Sequence, residues 1–231
     1  MNDTAAAPAP AISRSLFAFA IFYGGMVCIA GVLGNKQVAL GPLSAIGTLF
    51  GIGPLAVEAG IFAFLLLVIT SSAVAEMHGR DAANKLVLIG FVPLIVSLLL
   101  SLVVLSVPAA ADMDPARLSA FETILGGTPR IWLGGILAYG TSQFLNVTIF
   151  SRLKGREGSR LLWFRSAVAS ALSQIIDTLI FITVAFYGVF PIGQLLAGQM
   201  LAKVVLSLIL VPPLIYGFVA IGRRLDGVRP D

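Results

Sequence analysis

Asp177 and Lys203 fall inside long apolar stretches of this sequence, where a charge costs about 2.5 to 3.5 kcal/mol on membrane-insertion scales. A group held at that cost is a candidate for chemistry by default. At 3.6 residues per turn, Ser170, Ser173, Gln174 and Asp177 share one helical face, with Thr178 beside them. A polar stripe on an otherwise apolar helix must turn inward. Helix-to-helix hydrogen bonding, worth about 0.6 kcal/mol per contact, accounts for Ser170 and Ser173. Such glue needs no carboxylate, so Asp177 is read as a ligand-binding or proton-carrying group.

A second polar stripe lies one apolar stretch earlier, with Gln143 and Asn146 three residues apart and Tyr139 one turn before them. Amides carry both a donor and an acceptor, and a carboxylate can accept from an exocyclic amine. Together these groups suit a planar, neutral, hydrogen-bonding solute. Glu76, His78 and Arg80 follow the second apolar stretch near its end, where charge is cheap. His78 is the sole histidine and is expected to be a solvated interfacial group, while Glu76 is open between solvent and interior. Three or four ligands would be needed for zinc, and no such cluster stands out. A Walker A loop, an H-E-x-x-H pair and a G-x-S-x-G elbow are all missing from the sequence. The expectation is a protein that is not an enzyme and holds no cofactor or metal.

The elements that would position these residues follow from composition. The 231 residues are 58% hydrophobic and 11% charged, too few charges to coat a water-soluble globule. Lipid must be the solvent for much of the surface. The fold class expected is an all-α polytopic bundle of about six membrane helices, since about 20 apolar residues span a bilayer. The stretches run from Leu16 to Gly34, Leu55 to Ala75, Leu86 to Val107, Ile131 to Phe150, Ala167 to Val189, and Gln194 to Ile221. Between the first two, Asn35 to Pro54 is Gly-rich and contains Pro42, so it reads as a broken or re-entrant element.

The net charge of +4 invites a nucleic-acid reading, but the basic residues sit in short stretches between apolar runs and are better explained by topology. Placing both termini in the cytoplasm puts eleven of the fifteen Lys and Arg inside, among them Arg14, Arg80, Lys85, Arg165, Arg223 and Arg224. Lys36, Arg117 and Arg130 fall outside. Cys28 can form no intrachain disulfide and is expected to pack. Residues 1–13 read as a disordered tail, 14–223 as one transmembrane domain, and 224–231 as a cytoplasmic tail.

Two stretches carry a resemblance. Ala138 to Phe150 with Arg152-Leu-Lys154, and Arg165 through Ser170 to Gln174-Ile-Ile-Asp-Thr-Leu-Ile-Phe181, are similar to the signature of the queuosine precursor transporter family, also labelled vitamin uptake proteins. The similarity extends from about Val32 to Ala220, and the S-x-x-x-Q-x-x-D-T-x-x-F pattern is fairly specific. It implies six helices and import of 7-cyano-7-deazaguanine or its aminomethyl analogue. Two positions depart from the family's pattern. Its T-D-x-x-x-E-x-x-G reads Ser71-Ser72-Ala73-Val74-Ala75-Glu76-Met77-His78-Gly79 here, and the Asp of its Q-x-x-D pair is Asn146.

The leading expectation is therefore an inner-membrane carrier of a 7-deazaguanine derivative. Substrate-binding residues would be Gln143, Asn146, Gln174, Asp177, Lys203, Glu76 and Ser170, with Lys203 balancing Asp177 in the empty state. The competing reading is a substrate-binding subunit that needs a separate energising ATPase, or a carrier of another small heterocycle. Partners expected are that solute and the lipid bilayer, with nucleic acid excluded and a homo-oligomer left open.

Overall fold

The computed structural model describes residues 12–33, 36–39, 41–51, 53–54, 56–126, 129–153, 162–188 and 192–227. The expected N-terminal tail, apart from Ile12 and Ser13, lies outside the described residues. So do residues 228–231 of the C-terminal tail and the basic loop positions Lys154, Arg156 and Arg160.

Long apolar helices dominate. They are α1 (Arg14–Leu33), α3 (Gly60–His78), α4 (Arg80–Ser106), α6 (Pro129–Arg152), α7 (Leu162–Phe186) and α8 (Ile192–Leu225). Five of them, all but α6, are long and apolar enough to cross a membrane by length and composition. The 24 residues of α6 would reach about 36 Å at 1.5 Å per residue. Its apolar character is diluted by the same Ser, Gln and Asn that make it a candidate site element. The chain is a multi-pass membrane protein built as a helical bundle.

Short elements join the long ones. β1 (Gln37–Ala39) pairs antiparallel with β2 (Ala56–Glu58), Val38 opposite Val57, and a 3₁₀ turn (Gly41–Leu43) and α2 (Ser44–Leu49) lie between them. The described residues between Lys36 and Glu58 thus include a two-stranded antiparallel pair with a short helix between its strands. The loop after α4 holds α5 (Pro115–Leu125), started by the Asp114 carboxylate accepting from Ala116 N at 3.0 Å and by Pro115 in the first turn.

Packing centres on α3, which contacts α1, α4, α6, α7 and α8 and buries an unbroken run from Leu67 to Ala75. A helix apolar on every side belongs in such a position. By contrast α4 turns Ile89, Val92, Leu99 and Val103 outward, a surface that only lipid can cover at low cost. Cys28 packs as expected, its sulfur 3.2 Å from Ser97 Oγ and 3.8 Å from the Pro93 carbonyl.

Hydrogen bonds gather six helix ends at one end of the bundle. Ser15, at the start of α1, binds Asp226, just past α8, through its amide at 2.9 Å and its hydroxyl at 2.6 Å. His78, at the end of α3, lies 2.7 Å from the same hydroxyl. Arg80, opening α4, donates to Thr148 near the end of α6 at 3.3 Å. Arg165, in the first turn of α7, pairs with Glu76 of α3 at 2.7 Å. His78 is therefore corrected from a solvated group to a link between α1 and α3. Arg165 is corrected too: counted above as a loop cation, it is 1% exposed, with its guanidinium 4.4 Å above the Phe150 ring.

Candidate functional site

Asp177 sits fifteen residues into α7, about 22 Å along the helix, with one donor on each oxygen of its carboxylate. Lys203 of α8 donates to Oδ2 at 3.1 Å, and Ser142 of α6 donates to Oδ1 at 3.1 Å. Three helices thus meet on one carboxylate. Both members of the ion pair are buried, so each charge is compensated by the other where solvent cannot do it. Each carboxylate oxygen retains further accepting capacity.

Ser142 also fixes the register of α6 against α7. Arg165 Nε donates to the Phe150 carbonyl at 3.4 Å, and with the Ser142 to Asp177 contact this shows the two helices to be antiparallel. Ser170, Gln174 and Thr178 repeat at intervals of four along α7 and all three are buried. Their side-chain polar atoms, both amide atoms of Gln174 included, have no hydrogen-bond partner among the described residues. Ser207, one turn after Lys203 on α8, is in the same condition. An unsatisfied amide at membrane depth costs several kcal/mol, so these atoms are candidates for bonding to water or to another hydrogen-bonding group.

On α6 the amides are half used. Gln143 Oε1 accepts from Tyr23 Oη at 3.4 Å and Ser71 Oγ at 3.3 Å, and Tyr139 Oη donates to Tyr23 Oη at 2.8 Å. Asn146 Nδ2 donates to Ser71 Oγ at 3.2 Å and Ser72 Oγ at 3.1 Å. The remaining atoms, Gln143 Nε2 and Asn146 Oδ1, are buried without partners among the described residues. Gly90 makes this arrangement possible: a Cβ there would lie 2.6 Å from Tyr23 Cε1 and 2.8 Å from Tyr139 Oη.

Of the residues singled out by sequence, Gln143, Asn146, Ser170, Gln174, Asp177 and Lys203 lie on α6, α7 and α8, which pack in succession. Glu76 stands apart from them, one turn past Ser72 on α3 and held by Arg165. Sequence reasoning placed Tyr139 on the stripe but missed Ser142, Ser207 and Tyr23, to which Tyr139 donates. Ser142 was legible only as the neighbour of Gln143, and Tyr23 gave no local signal because its partner is 116 residues away.

Outside the membrane-spanning segments the Asp226 carboxyl is displaced. The Ser15 hydroxyl holds Asp226 below the usual carboxylate range, with help from the Ser15 amide, His78 and Arg14 and against partial desolvation.

Comparison with known proteins adds to this geometry. A family model described as "Putative vitamin uptake transporter" matches residues 58–217, from the end of β2 into α8. A curated protein of Bacillus subtilis (strain 168) named "Probable queuosine precursor transporter" is 37% identical over 142 residues, 59% of this chain. The chain spans about three fifths of that relative, 61% of its length. No solved structure gives a significant match.

Proposed function

The chain belongs to the vitamin uptake transporter family, and from that premise we propose that it imports a queuosine precursor, 7-cyano-7-deazaguanine or 7-aminomethyl-7-deazaguanine, across the bacterial inner membrane. The observation that carries the reading is the Asp177 to Lys203 ion pair set beside unpartnered amides and hydroxyls on α6, α7 and α8. The name of the B. subtilis relative supports the choice of solute. Gln143, Asn146, Gln174 and Ser170 hydrogen-bond the heterocycle. Asp177 accepts from its exocyclic amine, and Lys203 balances that carboxylate when no solute is present. Glu76 serves the site from one turn away, positioned by Arg165.

In this reading α1, α3, α4, α6, α7 and α8 each cross the membrane, and residues 14–223 form one transport domain. Six crossings return the chain to its starting side, in keeping with the contact between Ser15 and Asp226. The end that gathers Arg14, Arg80, Arg165 and Arg223 faces the cytoplasm by the excess of basic residues. A bacterial strain unable to make queuosine precursors, supplied with nanomolar 7-cyano-7-deazaguanine, tests the proposal. Expression of this chain restores queuosine in transfer RNA. If the protein reaches the membrane and queuosine stays absent, the solute is a different one.

A further inference from the structure

Gln143 and Asn146 sit three residues apart on α6, and each has one half of its amide committed and the other half free. Asn146 Nδ2 lies 3.5 Å from the Val68 carbonyl, a group that can only accept. That contact sets the sense of the amide, with the NH2 toward α3 and Oδ1 left as a buried acceptor without a partner. Gln143 is held in the opposite sense. Tyr139 donates to Tyr23, so the proton of Tyr23 is passed on to Gln143 Oε1, and Nε2 is left as a buried donor without a partner. One amide therefore offers a donor and its neighbour offers an acceptor.

We propose that this fixed order makes Gln143 and Asn146 the specificity-determining pair, reading a lactam edge in which a carbonyl oxygen stands beside an N–H. Gln143 Nε2 donates to the oxygen and Asn146 Oδ1 accepts from the N–H. Ser71, Ser72, Tyr23 and Tyr139 are positioning residues that keep the two amides from rotating. The inference rests on the reading of α6, α7 and α8 as the solute site. An amidine edge, with an exocyclic amine beside a bare ring nitrogen, carries the reverse order. It would set N–H against N–H and lone pair against lone pair, leaving the buried groups of the site unpaired, a mismatch that lowers affinity by orders of magnitude.

Competition against uptake of labelled 7-cyano-7-deazaguanine tests this. The competitors are 7-deazahypoxanthine, which has the lactam edge, and 7-deazaadenine, which shares its ring and differs at that edge. Wild-type protein should be inhibited at least about tenfold more effectively by the lactam compound. Gln143→Glu, which replaces the donor by an acceptor, should narrow that preference about tenfold. Asn146→Leu, which removes the acceptor, should narrow it as well. Each variant is normalised to its abundance in the membrane, and if Gln143→Glu does not reach the membrane, Asn146→Leu decides, with retention of the full preference overturning the inference. Equal competition in the wild type overturns the inference and leaves the carrier reading intact. No uptake by the wild type overturns both.

Discussion

Asn146 Nδ2 donates to Ser72 Oγ across 3.1 Å, so the two positions at which the resemblance implies a departure from the family's pattern touch each other. The contact joins α3 to α6 through an amide and a hydroxyl, which donate as well as accept, where a carboxylate only accepts when ionised. The Asn146 side chain keeps an acceptor facing away from α3, and Ser72 spends its oxygen on holding it there.

The Arg165 to Glu76 pair ties α7 to α3 at the end of the bundle that carries the basic residues. Arg165→Ala removes the 2.7 Å ionic contact to Glu76, and breaking a buried pair costs about 3 to 5 kcal/mol. Arg165→Lys should recover only part of this, because an ammonium cannot reproduce the flat stacking on Phe150. Thermal unfolding of the detergent-solubilised protein measures both, and unchanged stability in Arg165→Ala would show that the pair does not hold the helices.

Gly90 is the close-approach point behind Gln143. Gly90→Ala forces Tyr23 and Tyr139 to move, an overpacking cost of about 1 to 3 kcal/mol, and loosens the proton chain that ends on Gln143. Gly25→Ala is the control, since an added methyl there meets nothing within 4 Å. Lower stability and lower uptake should appear in the first variant and neither in the second. Wild-type behaviour of Gly90→Ala would remove the tyrosine pair from the account.

Asp226 supplies a pH dependence with a definite sign. Its folded-state pKa is lowered, chiefly by the Ser15 hydroxyl, so its stabilising contribution is present above the unfolded carboxylate value of about 3.9. That contribution is lost as pH falls through the lower folded value. Thermal stability measured from pH 7 downward should therefore drop more steeply below about pH 4 in the wild type than in Asp226→Asn. Parallel curves for the two proteins would mean that the Ser15 contact carries no linkage.

The long elements were legible because a bilayer imposes length and hydropathy on every crossing. The stretch from Leu16 to Gly34 became Arg14–Leu33, and Gln194 to Ile221 became Ile192–Leu225. The polar face of α7 could also be read from spacing, since a buried stripe needs only the 3.6-residue period. What escaped was either exposed or distant in sequence. α5 lies outside the core with no buried residue, so only its start signal, Asp114 followed by Pro115, announced it. Arg165 looked like one more loop cation because its partner Glu76 is 89 residues away. The half-used amides of Gln143 and Asn146 depend on groups from α1 and α3, which no local pattern reveals.

The Asp177 to Lys203 pair separates a structural role from a transport role. Asp177→Asn alone leaves the Lys203 ammonium buried beside a neutral amide and should lower stability by about 3 kcal/mol. Adding Lys203→Met removes the stranded charge and should recover most of that stability. The decisive measurement is uptake of labelled 7-cyano-7-deazaguanine, per molecule in the membrane, by the wild type and by the Asp177→Asn/Lys203→Met double variant. The account predicts accumulation by the wild type and at least about tenfold less by the double variant despite its recovered stability, given that a buried hydrogen bond to a charged group contributes about 1.5 to 3 kcal/mol. Equal uptake by the two proteins, or none by the wild type, would contradict it.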